Sequence, residues 1–291
     1  MYKILNKKQL APHICMMEVE APRVARTAEP GQFLIVIADE KGERIPLTVC
    51  DYDREAGTVT IVIQAIGAST MRMAAMEIGD GFAGFVGPLG RPSGLIHEDI
   101  ELLKQKNIML VAGGLGAAPV YPQVKWFAER GIRPHVIIGA KSGEYVIMEH
   151  EFRELTPHVH IATDDGSQGF KGLVTDLLKQ LVAGGEKYDL VVAIGPMIMM
   201  KFVALATKEL GIPTIVSLNT LMVDGTGMCG ACRVTVGGKT RFACVEGPEF
   251  DGHLVDFDEA MRRQGMYRTI EERRRAREAE KAAGHKCNIG L

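Results

Sequence analysis

The sequence lacks any uninterrupted apolar run long enough for a membrane-spanning helix. Its first residues, M-Y-K-I-L-N-K-K, also lack the apolar core of a secretory signal peptide. Neither sign of charge is in excess, since 34 Lys and Arg stand against 36 Asp and Glu and give a net charge of −2. Nothing in this balance points to nucleic acid or to an anionic membrane. We therefore expect a cytoplasmic protein with neither of these as a partner.

Internal repeats and low-complexity linkers are also missing from the 291 residues. This length exceeds the comfortable size of one core and predicts two domains plus a small module. The hydrophobic fraction of 46% and the charged fraction of 24% are typical of a globular protein. The six cysteines do not form a spread disulfide framework, which favours a reducing compartment. Cys15, Cys50 and Cys287 stand alone, as small buried hydrophobes or surface thiols.

The remaining three cysteines lie in one glycine-rich stretch, residues 224–244, which reads D-G-T-G-M-C-G-A-C-R-V-T-V-G-G-K-T-R-F-A-C. Two residues separate Cys229 from Cys232, and Cys244 follows after eleven more. Iron–sulfur clusters of the plant ferredoxin type use C-x4-C-x2-C with a distant fourth cysteine. Here the spacing is kept, but Asp224 occupies the first position. A carboxylate oxygen can ligate iron, so the stretch predicts a [2Fe–2S] cluster held by one Asp and three Cys.

Alternatives to this cluster remain open. Structural zinc could use the same four groups, although zinc sites more often show two paired C-x2-C units. Asp224 could also be a turn residue that bonds its own backbone before Gly225. Residues 232–236 and 240–244 flank a Gly-Gly turn and predict a hairpin. Such a hairpin would bring Cys244 back beside Cys232.

Residues 1–98 predict a small antiparallel barrel, because short alternating apolar runs recur between Gly, Pro and Asp residues. The predicted strands are Ile14–Val19, Gln32–Ala38, Ile45–Cys50, Thr58–Ile66 and Gly81–Val86, with one helix at Ser69–Met76.

Two places in this part indicate a ligand. Residues 44–48, R-I-P-L-T, put a proline inside a strand, so the strand lies at an edge or opens to a ligand. Residues 67–71, G-A-S-T-M, end a strand and open a helix, whose free amides attract phosphate. Together they suit a ring-bearing pyrophosphate ligand. Each also has an ordinary alternative, since Ser69 and Thr70 could be helix caps and Arg44 a surface charge.

From about Asn107 the pattern changes to strand–helix alternation, which predicts a parallel sheet with helices on both faces. The predicted strands are Asn107–Ala112, Pro134–Ile138, His158–Thr163, Asp189–Ile194 and Thr214–Ser217, with helices up to Glu129 and at Glu149–Leu155, Gly172–Leu181 and Pro196–Leu210.

Loops after three of these strands are candidates for a dinucleotide. Residues 113–119, G-G-L-G-A-A-P, join the first strand to the first helix, where a phosphate would bind; a packing turn without ligand is the alternative. Residues 163–167 and 195–197 leave the same edge of the sheet. Asp164 and Asp165 favour NAD(H), unless they are simple turn residues, and Lys141 weakly favours NADP(H).

We predict four parts with boundaries at 1–98, 99–220, 221–255 and 256–291. The last part contains a highly charged stretch, 271–281, whose mixed charges predict a solvated helix or a tail that binds a partner.

The motifs R-x-P-L-T, G-A-S-T, V-G-P-L-G at 86–90, G-G-L-G-A-A-P and G-P-M, in this order, resemble the ferredoxin–NADP reductase-like flavoprotein superfamily. The added cysteine module narrows the resemblance to electron-transfer subunits of dihydroorotate dehydrogenase and their relatives. Asp224 departs from the four cysteines of that group. In this respect the sequence is similar instead to the small (alpha) subunits of electron-bifurcating NADH-dependent ferredoxin–NADP oxidoreductases, also described as sulfide dehydrogenase subunits.

The resemblance implies a fold with an N-terminal antiparallel FAD-binding β-barrel, a doubly wound parallel-sheet NAD-binding domain and a small C-terminal [2Fe–2S] module with a charged helical tail. It implies FAD at Arg44, Pro46, Leu47, Thr48, Gln64, Gly67, Ser69 and Thr70. It implies NAD(H) at Gly113, Gly114, Gly116, Ala118, Pro119, Asp164, Asp165, Gly195, Pro196 and Met197.

The expected function is electron transfer. Nicotinamide exchanges a hydride and a [2Fe–2S] cluster carries one electron, so a flavin must lie between them, and we nominate no catalytic acid, base or nucleophile. The expected partner is a larger subunit with FAD and [4Fe–4S] clusters that binds NADP(H) and serves ferredoxin. The alternatives are a dihydroorotate dehydrogenase electron-transfer subunit, a zinc-stabilised nucleotide-sensing protein without turnover, and an autonomous NADH:acceptor reductase.

Overall fold

Two antiparallel sheets make up the N-terminal part of the chain, which a computed structural model describes for residues 1–267, 269, 270, 272 and 273. Its elements are β1 (Tyr2–Ala11), β2 (Ile14–Glu20), α1 (Pro22–Thr27), β3 (Phe33–Ile37), β4 (Ile45–Thr48), β5 (Asp51–Asp53), β6 (Thr58–Gln64), α2 (Ala68–Ala75), β7 (Gly81–Phe82) and β8 (Gly84–Leu89). The larger sheet has the order β5-β6-β2-β1-β7, and the smaller has the order β4-β3-β8. Every pairing in both sheets is antiparallel, as the sequence predicts.

A single apolar cluster joins the two sheets. Met17 and Ile61 from the larger sheet pack with Leu34 and Phe85 from the smaller one, and all four are 2% exposed or less. Alternation of apolar and polar residues along the strands produces this shared core.

The position of β4 explains its proline. In the order β4-β3-β8 this strand pairs on one side only, and Pro46 lies opposite Ile35 of β3. Proline has no amide to donate, so an edge position is where a sheet tolerates it. The predicted edge strand is confirmed.

A parallel sheet follows, built around β9. Its elements are α3 (Ile100–Lys104), β9 (Ile108–Gly113), α4 (Ala117–Glu129), β10 (His135–Ala140), α5 (Glu149–Leu155), β11 (Val159–Thr163), β12 (Phe170–Lys171), α6 (Val174–Ala183), β13 (Leu190–Ile194), α7 (Met197–Glu209) and β14 (Thr214–Ser217). The order is β12-β11-β10-β9-β13-β14, so the chain first builds outward from β9 on one side and then returns to its other side. That reversal creates a crevice at the carboxyl ends of β9 and β13, the usual ligand site of such sheets. The predicted doubly wound fold is confirmed.

The cysteine stretch and the residues after it form a small module that joins this sheet. Its elements are β15 (Arg233–Val236), β16 (Lys239–Phe242), α8 (Ala243–Glu246), β17 (Glu249–Asp251) and α9 (Phe257–Gln264). The predicted hairpin is confirmed: Val236 pairs with Lys239 across Gly237 and Gly238, whose φ angles are 59° and 73°. Positive φ at both turn residues is what a two-residue hairpin turn of type I′ requires. β17 then adds to β14 as an antiparallel edge strand.

The helices are short: α4 and α7 have 13 residues each. Among the described residues, no helix is both long and apolar enough to cross a bilayer. Only residues 272 and 273 of the predicted charged stretch at 271–281 are described. The rest of the helix predicted there lies outside the described residues. The boundaries between the four predicted parts stay predictions.

Histidine rings stack at the amino end of the parallel sheet. The His135 and His158 rings lie 4.3 Å apart and parallel, and His160 lies 5.8 Å from His135. The Tyr188 hydroxyl is 3.2 Å from His135 Nδ1, whereas the buried His160 Nε2 has no hydrogen-bond partner. Burial, followed by the neighbouring His158 charge, lowers the pKa of both His135 and His160. The folded protein therefore favours neutral rings here.

We expect this stack to make the protein acid-sensitive. Below the ordinary histidine pKa of about 6.5 the unfolded chain binds protons that the folded chain refuses, so stability falls as pH decreases. The variant His160→Val should show a shallower loss of unfolding free energy between pH 7 and 5 than the parent, measured by urea titration. Thr60→Val, at a half-buried position on β6, changes no titratable group, so it is the control and should keep the parent's slope. Equal slopes for His160→Val and the parent would contradict this assignment.

Candidate functional site

Two thiols of the cysteine module meet inside the protein. Cys232 Sγ and Cys244 Sγ lie 3.2 Å apart, and each residue is 2% exposed. The hairpin causes this approach, because Arg233 pairs with Phe242 at its open end and the Ala243 amide donates to the Cys232 carbonyl at 3.2 Å. Cys244 is the next residue, so its thiol lies beside that of Cys232. The Cys244 amide also lies 3.5 Å from Cys232 Sγ. The expectation that Cys244 returns beside Cys232 is confirmed.

The electrostatics of this pair favour a metal over nucleophilic chemistry. Burial, followed by the Cys232 thiol, raises the pKa of Cys244 to about 12. A cysteine with so high a pKa is a poor nucleophile, since the thiolate is the reactive form. A bound cation reverses this situation, because a coordinating thiol loses its proton.

Cys229 and Asp224 lie on the loop before the hairpin and do not join the thiol pair. Cys229 is exposed, and its Sγ accepts a weak hydrogen bond of 3.5 Å from the Ala231 amide. The Asp224 carboxylate accepts from the Thr226 amide at 2.9 Å and from the Cys229 amide at 3.0 Å. The hydrogen bond from Thr226 is the main reason why the pKa of Asp224 lies below its usual value. Asp224 thus closes the loop that carries Cys229.

The donor set nevertheless fits an iron–sulfur cluster. In the described part of the chain, no three His, Cys, Asp or Glu side chains already converge on one point. Cys229 sits next to Gly230, whose φ of 66° is left-handed, on a loop with few bulky residues. The 21 residues from 224 to 244 carry three thiols and a carboxylate, and two of these thiols already lie side by side. Backbone amides are directed at the sulfur atoms of Cys229 and Cys232. Such a set of groups is suited to bind an iron–sulfur cluster.

Arg44 links the cysteine loop to the antiparallel sheets. Its Nε donates to the Val223 carbonyl at 3.0 Å, and its Nη2 donates to the Asp224 carbonyl at 2.9 Å. Gly225 lies close to the same sheets, because a Cβ there would come within 2.9 Å of Leu89 Cδ1. A residue predicted for the pyrophosphate site therefore also holds the loop of the predicted cluster.

The start of α2 leaves room for a phosphate. Thr70 Oγ1 accepts from the Gly67 amide at 3.0 Å, and Ser69 Oγ donates to Glu43 Oε2 at 2.6 Å. A Cβ on Gly67 would meet only Thr70 Oγ1, at 3.9 Å, so the space above this helix end is open. An open helix N-terminus fits a pyrophosphate. The other residues predicted for this ligand lie in β4 (Pro46, Leu47 and Thr48) and at the end of β6 (Gln64).

Glycines let β9 and β13 approach each other at the crevice. A Cβ on Gly116 would lie 2.7 Å from the Ile194 carbonyl carbon, and a Cβ on Gly195 would lie 2.9 Å from Gly113 Cα. Gly114 differs, since it has a φ of 52° and nothing within 4 Å of its Cβ position. Close packing thus explains Gly113, Gly116 and Gly195, whereas Gly114 faces open space. Of the remaining residues predicted here, Ala118 and Met197 are buried, Pro119 is half-buried and Pro196 is exposed.

The two predicted aspartates lie after β11 at the same edge of the sheet, and both are exposed. Asp165 Oδ1 accepts from the Ser167 amide at 2.9 Å and from the Ser167 hydroxyl at 2.6 Å. These hydrogen bonds lower the pKa of Asp165. The Asp164 amide donates to the Ala140 carbonyl at 3.1 Å. Asp165 therefore shapes its own turn, and Asp164 remains exposed after β11, which β10 separates from β9 and the crevice.

One buried group was not anticipated from the sequence. Glu249, at the start of β17, accepts hydrogen bonds from Ser93 and Gln123, which come from two other parts of the chain. A lone Glu between Pro248 and Phe250 carries no spacing signal, so only the three-dimensional arrangement reveals it.

Comparisons with known proteins agree with this geometry. Residues 219–256 match the model of the iron-sulfur cluster binding domain of dihydroorotate dehydrogenase B. The chain is 45% identical over 269 residues to a dihydroorotate dehydrogenase B (NAD(+)) electron transfer subunit homolog of Thermotoga maritima, covering 92% of each chain. It is 62% identical over 272 residues to an uncharacterized protein in the adh 3' region of Clostridium beijerinckii, covering 93% of this chain and 92% of that one.

A solved structure is similar over almost the whole chain. It belongs to an NADH-dependent reduced ferredoxin-NADP oxidoreductase studied for flavin-based electron bifurcation. The two chains are 42% identical with a TM-score of 0.87, and the match covers 95% of this chain and 97% of that one.

Proposed function

The chain belongs to the family of dihydroorotate dehydrogenase B electron transfer subunits and their homologs, and on that premise we propose its role. It is the FAD and [2Fe–2S] subunit of an electron-bifurcating NADH-dependent ferredoxin–NADP+ oxidoreductase. The observation that carries this proposal is the thiol pair of Cys232 and Cys244, on a module that Arg44 ties to the antiparallel sheets. The 42% identity with a solved enzyme of this activity supports it.

Each cofactor has residues suited to hold it. Cys229, Cys232, Cys244 and Asp224 would bind the cluster. The open N-terminus of α2 at Gly67 would bind the FAD pyrophosphate, and Gly114 would face NAD(H) in the crevice. FAD would supply the exchange between the hydride of NAD(H) and the single electrons of a cluster.

The protein itself positions the proposed cofactors relative to each other and shields part of the cluster site from water. Arg44 precedes β4 and binds the Val223 and Asp224 carbonyls. These two hydrogen bonds hold the loop of the predicted cluster at a fixed position relative to the predicted flavin site. Burial of Cys232 and Cys244 keeps water from two of the four ligands.

A partner subunit fits the exposed side of the loop. Met228 is 90% exposed beside the exposed Cys229, and two more exposed apolar residues, Val223 and Val245, flank the same loop. An exposed group of apolar side chains of this kind marks protein contacts. We propose that a larger subunit with FAD and [4Fe–4S] clusters docks here, binds NADP(H) and serves ferredoxin. The clustered cysteines suit a reducing compartment, and we propose the cytoplasm.

The second candidate is an electron-transfer subunit that delivers electrons from dihydroorotate to NAD. The match of residues 219–256 to the dihydroorotate dehydrogenase B domain favours it. Asp224 in the first ligand position, in place of a fourth cysteine, favours bifurcation.

An assay of the native complex, purified without oxygen, separates the candidates. We expect NADPH to reduce ferredoxin only when NAD+ is present, and the isolated chain to contain FAD and iron. Oxidation of NADH by orotate, with ferredoxin left oxidised, would assign the chain to the second candidate. A colourless chain that contains zinc would overturn both, and dye reduction by NADH without a partner would leave a simple flavin reductase.

The role of Asp224 has a direct test. We expect Asp224→Cys to keep iron but to change the visible and electron paramagnetic resonance spectra, because one oxygen ligand becomes sulfur. Asp165→Cys, on another exposed turn, should leave the spectra unchanged. Identical spectra for Asp224→Cys and the parent would show that Asp224 only closes the loop through the Thr226 and Cys229 amides.

A further inference from the structure

Glu249 lies where three parts of the chain meet. Its Oε2 accepts from Ser93 Oγ at 2.8 Å, and its Oε1 accepts from Gln123 Nε2 at 2.7 Å. Ser93 lies in the segment between β8 and α3, Gln123 lies in α4, and Glu249 begins β17 of the cysteine module. A Cβ on Gly31 would come within 3.2 Å of Glu249 Oε1, so a turn of the antiparallel sheets closes the fourth side.

The Glu249 carboxyl group is enclosed without a cation. Ser93 and Gln123 are 1% and 2% exposed, and Glu249 itself is half-buried, with both of its carboxyl oxygens hydrogen-bonded to these two residues. In the described part of the chain Glu249 forms no ion pair. Charged groups on the surrounding elements bond elsewhere or share its sign: Lys125 pairs with Asp51, Arg91 donates to the Val245 carbonyl, Asp251 accepts from the His253 amide, and Glu29 is acidic.

Both partners of Glu249 suit either charge state. A serine hydroxyl donates to a carboxylate but also accepts from a carboxylic acid without moving. The Gln123 amide presents N–H to a carboxylate and, after a half-turn of the amide, presents its oxygen to an acid. Gln123 Oε1 is buried and has no hydrogen-bond partner in the arrangement described. The site can therefore gain or lose one proton with only local rearrangement.

We propose that Glu249 is a proton-binding group of this three-way junction, protonated when the antiparallel sheets, α4 and the cysteine module are packed together. An unpaired carboxylate with two neutral partners loses hydration that these partners replace only in part. Opening the junction restores water to the carboxyl group, so the proton leaves as the parts separate. Packing of the three parts is thus coupled to pH, a property that goes beyond the proposed electron transfer.

The sign of this coupling depends on the direction of the pKa shift. Burial raises the pKa of Glu249 to about 7, from an ordinary value of 4.5. Between these values the folded chain holds a proton that the unfolded chain has lost. The resulting stabilisation is complete below pH 4.5 and disappears as pH rises through about 7.

The test compares urea unfolding of the full chain and its Glu249→Gln variant between pH 5 and 8. Glutamine has the shape of glutamic acid but cannot lose the proton. We expect the unfolding constant of the parent, relative to that of Glu249→Gln, to rise up to about tenfold per pH unit between pH 5 and 7. The histidine stack affects both proteins equally and cancels in this ratio. Glu101→Gln, at an exposed position on α3, is the control and should follow the parent.

Infrared spectroscopy of the parent chain gives a second measurement that needs no variant. A carboxylic acid C=O band should persist at pH 6 and disappear with a midpoint near 7, and it should be missing from Glu249→Gln. A pH-independent ratio of unfolding constants would overturn the proposal. If Glu249→Gln fails to fold, absence of the protonated band in the parent at pH 6 would overturn it equally. Neither measurement requires FAD, NAD(H) or iron, so its failure is distinct from failure of the proposed function.

Discussion

The variant Cys244→Ser is expected to lose its iron almost completely while remaining folded. Cys244 supplies one of the two buried sulfurs that lie 3.2 Å apart, and a serine hydroxyl does not replace a thiolate as a soft ligand for iron. Of the three ligands that remain, only Cys232 is buried, and the loop that carries Cys229 and Asp224 cannot keep water away from the metal. Iron content per chain and the visible absorption spectrum measure the effect directly.

Cys15→Ser is the matched control for this experiment. Cys15 lies in β2 and is 2% exposed, as is Cys244, so both substitutions bury one hydroxyl in place of a thiol. Each should cost about 1–3 kcal/mol of unfolding free energy. Only Cys244→Ser should lose iron. A full complement of iron in Cys244→Ser, or an equal loss in Cys15→Ser, would contradict the ligand assignment.

Gly116→Ala is expected to have the largest effect on stability. The added methyl group would lie 2.7 Å from the Ile194 carbonyl carbon and 3.0 Å from Gly195 Cα. These are backbone atoms at the end of β13, and they cannot rotate away as a side chain would. Such overpacking should cost about 3 kcal/mol or more, and it should displace the turn where NAD(H) is proposed to bind. The urea midpoint and NADH affinity should both fall.

The control for Gly116→Ala is Gly94→Ala. Gly94 has no neighbour within 4 Å of its Cβ position and no left-handed φ, so this methyl group is accommodated. Its urea midpoint should stay within experimental error of the parent. A normal midpoint for Gly116→Ala would mean that β9 and β13 separate more easily than their close contact implies.

Local patterns in the sequence predicted much of this fold. The Gly-Gly turn and its flanking alternation predicted the β15–β16 hairpin, and Pro46 predicted an edge strand. Thr214–Ser217 and Glu149–Leu155 have the predicted bounds, because apolar runs of these elements end at strong punctuating residues. Such signals depend on residues that are neighbours in the sequence, so they can be recognised without a structure.

Other features depend on contacts distant in the sequence and were not predicted. β1 was missed because its K-K-Q segment reads as polar surface, and its two irregular registers with β2 disturb the alternation. The bonds of Arg44 to the Val223 and Asp224 carbonyls span about 180 residues. Glu249 gains its significance only from Ser93 and Gln123. No periodicity connects such partners, so only the folded arrangement brings them together.

The pairing of β17 with β14 bears on how this chain could be shortened or recombined. A cluster-binding module at the C-terminal end of a reductase could be expected to fold independently of it, so that either could exist without the other. Here its final strand covers the edge of the nucleotide-binding sheet, with Ser217 opposite Glu249 and Val216 opposite Phe250. Deleting it would leave β14 with unpaired amides and carbonyls, which invite association with other chains. The parallel sheet of this chain therefore depends on the cysteine module for its edge. A shortened chain without β17 would need another segment to pair with β14.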